Sequence, residues 1–205
     1  MLVTKLTGMG KGRYKVYIED GPVFALYRGE LKRLGIREGE EITEESLREI
    51  REEILPLRAK KRAMNLLQKR EYTSADLRGK LREGEYPDAC IGEAIAYVES
   101  YGYVDDLRYA KDFISYNLDR KSRVRIEQDL MRKGIRKDTI RNLFEELEEE
   151  GAKQDEAAMI RRLLEKKKYD AETADGREKQ RMYAFLYRKG FHSEAINRAL
   201  LLDIT

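Results

Sequence analysis

The stretch Asp105-Asp106-Leu107-Arg108-Tyr109-Ala110 and the basic run that follows it to Lys133-Gly134-Ile135 decide the fold. Two acids open it, as suits the positive end of a helix dipole. Ala110, Phe113, Ile114 and Asn117 then fall at helical spacing, an inner stripe that is apolar except at its end. Ser122 is placed to begin a second helix, with Ile126 and Leu130 on its inner side, and Gly134 to end it in a left-handed cap. Residues 107–141 hold 11 Lys/Arg against 5 Asp/Glu, although the whole chain carries only +3.

The stretch is the middle copy of a repeat. Leu77, Leu81, Tyr86, Ile91 and Ile95 are separated by 4, 5, 5 and 4 residues. Ile126, Leu130, Ile135, Ile140 and Phe144 keep those separations, as do Met182, Leu186, Phe191, Ile196 and Leu200. A first helix precedes each set, marked by Ala63/Leu66/Leu67, Ala110/Phe113/Ile114 and Ala157/Ile160/Leu164. The longer last offset is taken up by a polar loop at 170–176. The pattern predicts three tandem three-helix modules over 56–104, 105–152 and 153–205, stacked as an elongated, mainly α array.

Residues 1–55 predict a small β-containing extension. Leu2–Leu6, Tyr14–Ile18 and Val23–Tyr27 are strand candidates, with a glycine turn at 8–12 and Asp20-Gly21 as a hairpin signal. Such a meander needs something packed on it. Gly8, Gly10 and Gly12 can also be read as a phosphate loop, but no Gly-Lys-Ser/Thr follows, so a plain turn is expected. Leu31, Leu34 and Ile36 form one helical turn closed by Gly35. Thr43 caps the next helix, and Pro56 is expected to break or kink it, which places the first domain boundary there.

Composition narrows the function. Charged residues are 40% of the 205, against roughly 25% in average usage, so narrow apolar stripes fit better than one broad core. The single cysteine, Cys90, excludes an intrachain disulfide and any multi-cysteine metal site, and is expected to be a small buried hydrophobe. No apolar run spans a membrane, and a soluble, cytoplasmic protein is expected. His192 stands alone, without a second histidine or neighbouring cysteine, and is read as a surface or capping residue. Asp105 and Asp106 are read as cap and first-turn acid rather than a metal pair. A non-enzymatic protein without cofactor or metal follows.

The remaining signal is charge. With Ile126 at zero on a helical wheel, Lys121, Arg125, Gln128 and Arg132 fall at about 220°, 260°, 200° and 240°, away from the core. Adding 56 gives Arg177, Arg181, Ala184 and Arg188, and Lys133-Gly134 maps onto Lys189-Gly190. The first module lacks this stripe, having Tyr72, Asp76, Gly79 and Glu83, but its opening helix carries Arg58, Lys60, Lys61, Arg62, Lys69 and Arg70. Guanidinium forks suit phosphate oxygens, and such stripes fit a nucleic-acid backbone or a nucleoprotein filament. Tyr109 and Tyr116 are candidates for stacking on bases, whereas Tyr109 and Tyr187 also read as packing residues. The alternative reading of the stripes is ordinary solvated helix faces.

Asp105-Asp-Leu-Arg-Tyr-Ala110, Ser122-Arg-Val-Arg-Ile126 and Leu130-x-x-Lys-Gly-Ile135 together resemble the central signature of the RecX regulatory family. Arg70-Glu-Tyr-Thr-Ser74, Gly102-Tyr-Val-Asp-Asp106 and Arg13-Tyr-Lys-Val-Tyr17 agree, the last with longer members that carry a β extension. The resemblance covers nearly the whole chain. It departs where the family has a glycine-rich Lys-Gly-Lys-Gly and this chain has Arg120-Lys-Ser-Arg123. It implies a modulator of the recombinase RecA that binds the groove of the RecA–single-stranded-DNA filament and mainly inhibits it, with no cofactor. The expected contacts are Lys121, Arg123, Arg125, Arg132, Lys133, Arg177, Arg181 and Arg188. The secondary patch is Arg58, Lys60, Lys61, Arg62 and Arg70, and the signature Asp105, Asp106, Arg108, Tyr109 and Ala110 is structural. A monomer is the default for an array with unlike ends. Two other readings stand beside this one: a helix-turn-helix regulator of duplex DNA, and a protein-interaction array without nucleic acid.

Overall fold

The computed structural model describes residues 1–201. It is mainly helical, with three three-helix repeats after a small antiparallel sheet, and the chain divides into two compact units with the boundary between Asp105 and Asp106.

In the first unit, β1 (Val3–Gly10), β2 (Arg13–Ile18) and β3 (Phe24–Tyr27) form a sheet in the order β1-β2-β3. The glycines do not all belong to the turn, as their spacing had led us to expect. β1 runs on through Gly8 to Gly10, paired with Arg13, and the turn is the two residues Lys11 and Gly12, both at positive φ. That is the handedness a twisted two-residue hairpin requires. Helix α1 (Arg28–Arg33) follows, and α2 (Glu44–Glu49) starts at Thr43, whose hydroxyl accepts from the Ser46 amide.

Pro56 does not break the chain's helical course. One π turn, Ile50–Ile54, connects α2 to α3 (Leu55–Leu67), and Pro56 sits in the first turn of α3. The Leu55 amide donates to the Ile50 carbonyl, a five-residue step. A proline removes one amide and crowds the carbonyl four residues back, and a local change of helical pitch just before it absorbs both effects. Helices α4 (Ser74–Arg82) and α5 (Asp88–Ser100) complete the first repeat.

One apolar core runs from Val3 through Phe24, Leu26 and Ile50 to Leu77, Ile91 and Val104. The sheet and first repeat therefore share a core, broader than the thin modules composition implied. Polar fasteners reinforce it: Arg13 donates to the Gly84 carbonyl at 2.5 Å, and Lys15 pairs with Glu85 at 2.9 Å. Cys90 is buried there, and burial pushes its thiol pKa up.

In the second unit, α6 (Asp106–Asn117), α7 (Arg123–Arg132) and α8 (Lys137–Glu149) form the second repeat. The third is α9 (Glu156–Lys166), α10 (Gly176–Arg188) and α11 (Ser193–Leu200). Of the fifteen repeat-defining residues, all are buried except Tyr86 and Met182, which are half-buried. Among the opening-helix markers, Ala157 is exposed, and Met159 with Ile160 supplies the inner face instead. The repeats pack on polar joints as well as on apolar stripes. Gln154 Nε2 donates to the carbonyls of Leu118 at 2.6 Å and Lys121 at 2.7 Å, while its Oε1 accepts from the Arg123 amide at 2.9 Å. One side chain thus terminates α6 and helps to start α7.

Candidate nucleic-acid interface

Ser122 starts α7 as its spacing predicts, but its hydroxyl does two jobs. Oγ accepts from the Arg125 amide at 3.3 Å and donates to the Lys189 carbonyl, just past the end of α10, at 2.6 Å. Close approach there depends on Gly190. A Cβ at that position would lie 2.7 Å from Ser122 Oγ and 3.1 Å from Val124 Cβ, and its φ of +83° already disfavours other residues. The start of α7 and the end of α10 are therefore pressed together.

The consequence is a cleft of about 480 Å³ lined by Arg120, Lys121, Ser122, Arg125, Leu163, Arg188, Lys189 and Phe191. Lys121, Arg125 and Arg188, placed on separate stripes by the wheel, meet in it. A neighbouring hollow shares Arg120 and Leu163 and adds Asp119, Met159, Arg162 and Lys166. Arg120, Arg188 and Lys189 make no ion pair among the described residues. Arg120 lies over the Tyr116 ring at 3.8 Å and Lys189 over Phe185 at 5.1 Å. Arg177 and Arg181 are exposed and likewise unpaired among the described residues.

The α7 stripe is less free than its sequence implies. Asp129, only 12% exposed, takes Lys121 at 2.8 Å and Arg125 at 3.4 Å, and also pairs with Arg132. Burial alone would push the Asp129 carboxyl up. The three cations outweigh it and hold the carboxyl below its ordinary range. The spacings of Asp129 to Arg125 and Arg132 are four and three, so this acid was visible as an interleaved partner. The equivalent position in α10 is Phe185, which leaves the α10 arginines unbalanced.

Arg123 lies apart from this face. It pairs with Glu127 at 3.2 Å and Glu148 at 2.7 Å and lies over the Phe144 ring at 4.4 Å, fastening α7 to α8. Lys133 lies over Tyr109 at 5.4 Å, and Tyr109 stacks on Phe113 as a packing residue. Tyr187 is not a packing residue: it is 60% exposed and touches the Tyr183 ring only along its own helix. Tyr116 is exposed beside Arg120.

In the first unit, Arg58 is a half-buried strut. It donates to the Ala25 carbonyl at 3.1 Å, pairs with Glu30 at 2.9 Å and covers the Tyr27 ring at 4.5 Å. Lys60 pairs with Glu93 at 3.4 Å, and Arg70 lies over Tyr72 at 4.4 Å. Lys61, Arg62 and Lys69 are exposed and unpaired among the described residues. Asp106 opens α6, and of the signature residues Ala110 is buried in the second unit's core with Tyr109 packed against it. His192 is exposed at the start of α11, its amide donating to Glu156 at 2.8 Å and its Nδ1 3.1 Å from the same carboxylate. The sequence reading missed Arg162 and Lys166, whose four-residue spacing on α9 was the available signal, and missed the joint that gathers Arg120 and Lys189.

No helix among the described residues is long and apolar enough to cross a membrane, and no group of three or more His, Cys, Asp or Glu is placed to hold a metal ion.

Comparison with known proteins gives one family throughout. Residues 59–97 match the model of the first RecX three-helix domain, 105–142 the second and 154–200 the third. The chain is 33% identical over 204 residues to the regulatory protein RecX of Caldanaerobacter subterraneus subsp. tengcongensis, covering 98% of this chain and 100% of that one. It is 28% identical to regulatory protein RecX of Clostridioides difficile, covering 97% and 94%. A crystal structure of regulatory protein RecX shares the fold with a TM-score of 0.61 at 22% identity, covering 98% of both chains. RecX from Lactobacillus salivarius does so at 0.56 and 17%, over 72% of this chain and 96% of that one.

Proposed function

The chain belongs to the RecX family of regulatory proteins, and on that premise we propose that it regulates the recombinase RecA by lying in the groove of the RecA–single-stranded-DNA filament. The observation that carries this reading is the meeting of Lys121, Arg125 and Arg188 in one cleft, with exposed Arg177 and Arg181, unpaired among the described residues, on the same helix as Arg188. Exposed guanidinium groups present several donors each in a fixed fork, which suits phosphate oxygens. Each neutralised phosphate releases condensed counterions, so such a face gains affinity without reading bases. A body held in the groove obstructs a second DNA strand, and it needs neither nucleotide nor metal to do so. The partners are the RecA filament and its single strand, the setting is the cytoplasm, and the acting form is a monomer. Arg132 and Lys133 extend the face, while Arg123 fastens α7 to α8 beneath it; Arg58 serves the fold of the first unit.

The test is RecA ATPase turnover on single-stranded DNA with the protein titrated in. The expected result is a fall in turnover at substoichiometric amounts, weakened by R177E/R181E/R188E. Unchanged turnover, together with sequence-selective binding to duplex DNA, overturns the reading in favour of a helix-turn-helix regulator.

A further inference from the structure

The cleft between the start of α7 and the end of α10 gathers five basic side chains. Two adjacent basic pairs, Arg120-Lys121 and Arg188-Lys189, are brought to one hollow with Arg125. Among the described residues one carboxylate pairs with these five cations: Asp129, engaged by Lys121 and Arg125. Arg120 and Lys189 rest on aromatic rings, which leave their charge in place. The lining contains no acid, and its other walls are Leu163, Phe191 and the Ser122 hydroxyl. Like charges gathered in this way repel one another, and a multiply charged anion relieves that repulsion. The volume, about 480 Å³, lies within the usual range for small-molecule sites.

We propose that this cleft binds a compact oligophosphate, a chain of three linked phosphates either free or carried by a nucleoside, and that occupancy competes with nucleic acid for Lys121, Arg125 and Arg188. A single phosphate engages two or three of the five cations, whereas a triphosphate reaches across the hollow. The affinity order is therefore tripolyphosphate above pyrophosphate above orthophosphate. The binding claim stands on the cleft alone. The competition claim rests on the filament reading.

The experiment is calorimetric titration of the full chain with sodium tripolyphosphate, orthophosphate, ATP and a single-stranded oligonucleotide at fixed salt. Tripolyphosphate is expected to bind at one saturable site, at least about tenfold more tightly than orthophosphate, and to be weakened about tenfold or more by R120A/K189A. Both residues are exposed and outside the proposed filament contacts, and a thermal melt checks that this variant folds. Equal affinity for ATP and tripolyphosphate assigns recognition to the phosphate chain. Tighter ATP assigns the base to Leu163 and Phe191. R177A/R181A is expected to weaken the oligonucleotide while leaving tripolyphosphate within about twofold. Unsaturable tripolyphosphate binding, or wild-type affinity in folded R120A/K189A, overturns the proposal. Tripolyphosphate binding by a chain that leaves RecA turnover unchanged when titrated in overturns the filament reading and leaves the cleft site standing; oligonucleotide affinity unchanged by saturating tripolyphosphate overturns the competition claim.

Discussion

Replacing Asp129 with asparagine separates the stability of α7 from its affinity for anions, and the two should move in opposite directions. The carboxylate holds Lys121, Arg125 and Arg132, whose side chains are 37%, 46% and 64% exposed. Pairs this exposed contribute roughly 0.2–1 kcal/mol each, so D129N should cost about 1–2 kcal/mol. For a unit of this size that corresponds to roughly 4–8 °C in Tm per kcal/mol. Binding to single-stranded DNA should tighten. The same carboxylate competes with phosphate for three cations, and relieving about 1 kcal/mol of competition corresponds to about fivefold in Kd at low salt. The logarithmic salt slope should steepen by at most about 0.7, the share of one further phosphate. The sign with pH is also fixed. A carboxyl whose folded pKa is depressed stabilises above its ordinary value, 3.8, and loses that contribution as pH falls through the lower folded value. The stability gap between wild type and D129N should therefore be level from pH 8 to about 5 and close below about pH 3.8. Denaturant melts across pH and fluorescence anisotropy across salt measure both. A folded D129N with unchanged or weaker DNA affinity and an unchanged slope refutes the idea that Asp129 balances the stripe.

Other residues give equally direct tests. G190A must strain a left-handed backbone and push a methyl against Ser122 Oγ, and should lose about 2 kcal/mol or more by urea denaturation. Part of that loss should return in S122A/G190A, and no recovery would show that the contact is not the cause. R58M should cost roughly 2–3 kcal/mol, because Glu30 and the Ala25 carbonyl lose a shared partner in a largely buried place. K61A/R62A beside it should be neutral in the same melt. The Tyr169 hydroxyl is buried with no hydrogen-bond partner among the described residues, so Y169F should raise stability by about 1 kcal/mol. Burial, then Glu178 and Asp170, raise the Tyr169 pKa above 10.0, so its ultraviolet titration should lag behind that of the exposed tyrosines.

The helical stripes were legible because burial imposes their period directly: Ile126, Leu130, Ile140 and Phe144 are placed by a rule that needs only spacing. Helix starts were legible for a similar reason, since Thr43 and Ser122 answer to local amides. The course through Pro56 was not, because a proline's cost falls on bonds whose rearrangement depends on what packs around the preceding turn. The site was half legible. The wheel placed Arg125, Arg132, Arg181 and Arg188 on outward faces, where they are exposed. The contacts expected from the family resemblance also included Arg123, which on the wheel lies near about 60° and in the structure pairs with Glu148 of α8. Asp129 stands four residues from Arg125 and three from Arg132, so its part in the stripe was legible from spacing. The gathering of Arg120, Arg125, Arg188 and Lys189 depends on a serine hydroxyl finding a carbonyl 67 residues away, a tertiary event with no periodic signature.

That serine has a spectroscopic consequence. The Arg125 amide is sheltered by the same hydroxyl that grips the Lys189 carbonyl. An opening of the joint that releases Ser122 also releases the amide to exchange with solvent deuterium. The exchange rate at this one position then reports how often the second and third repeats part, in a chain carrying no label. Anything seated between them should slow the clock.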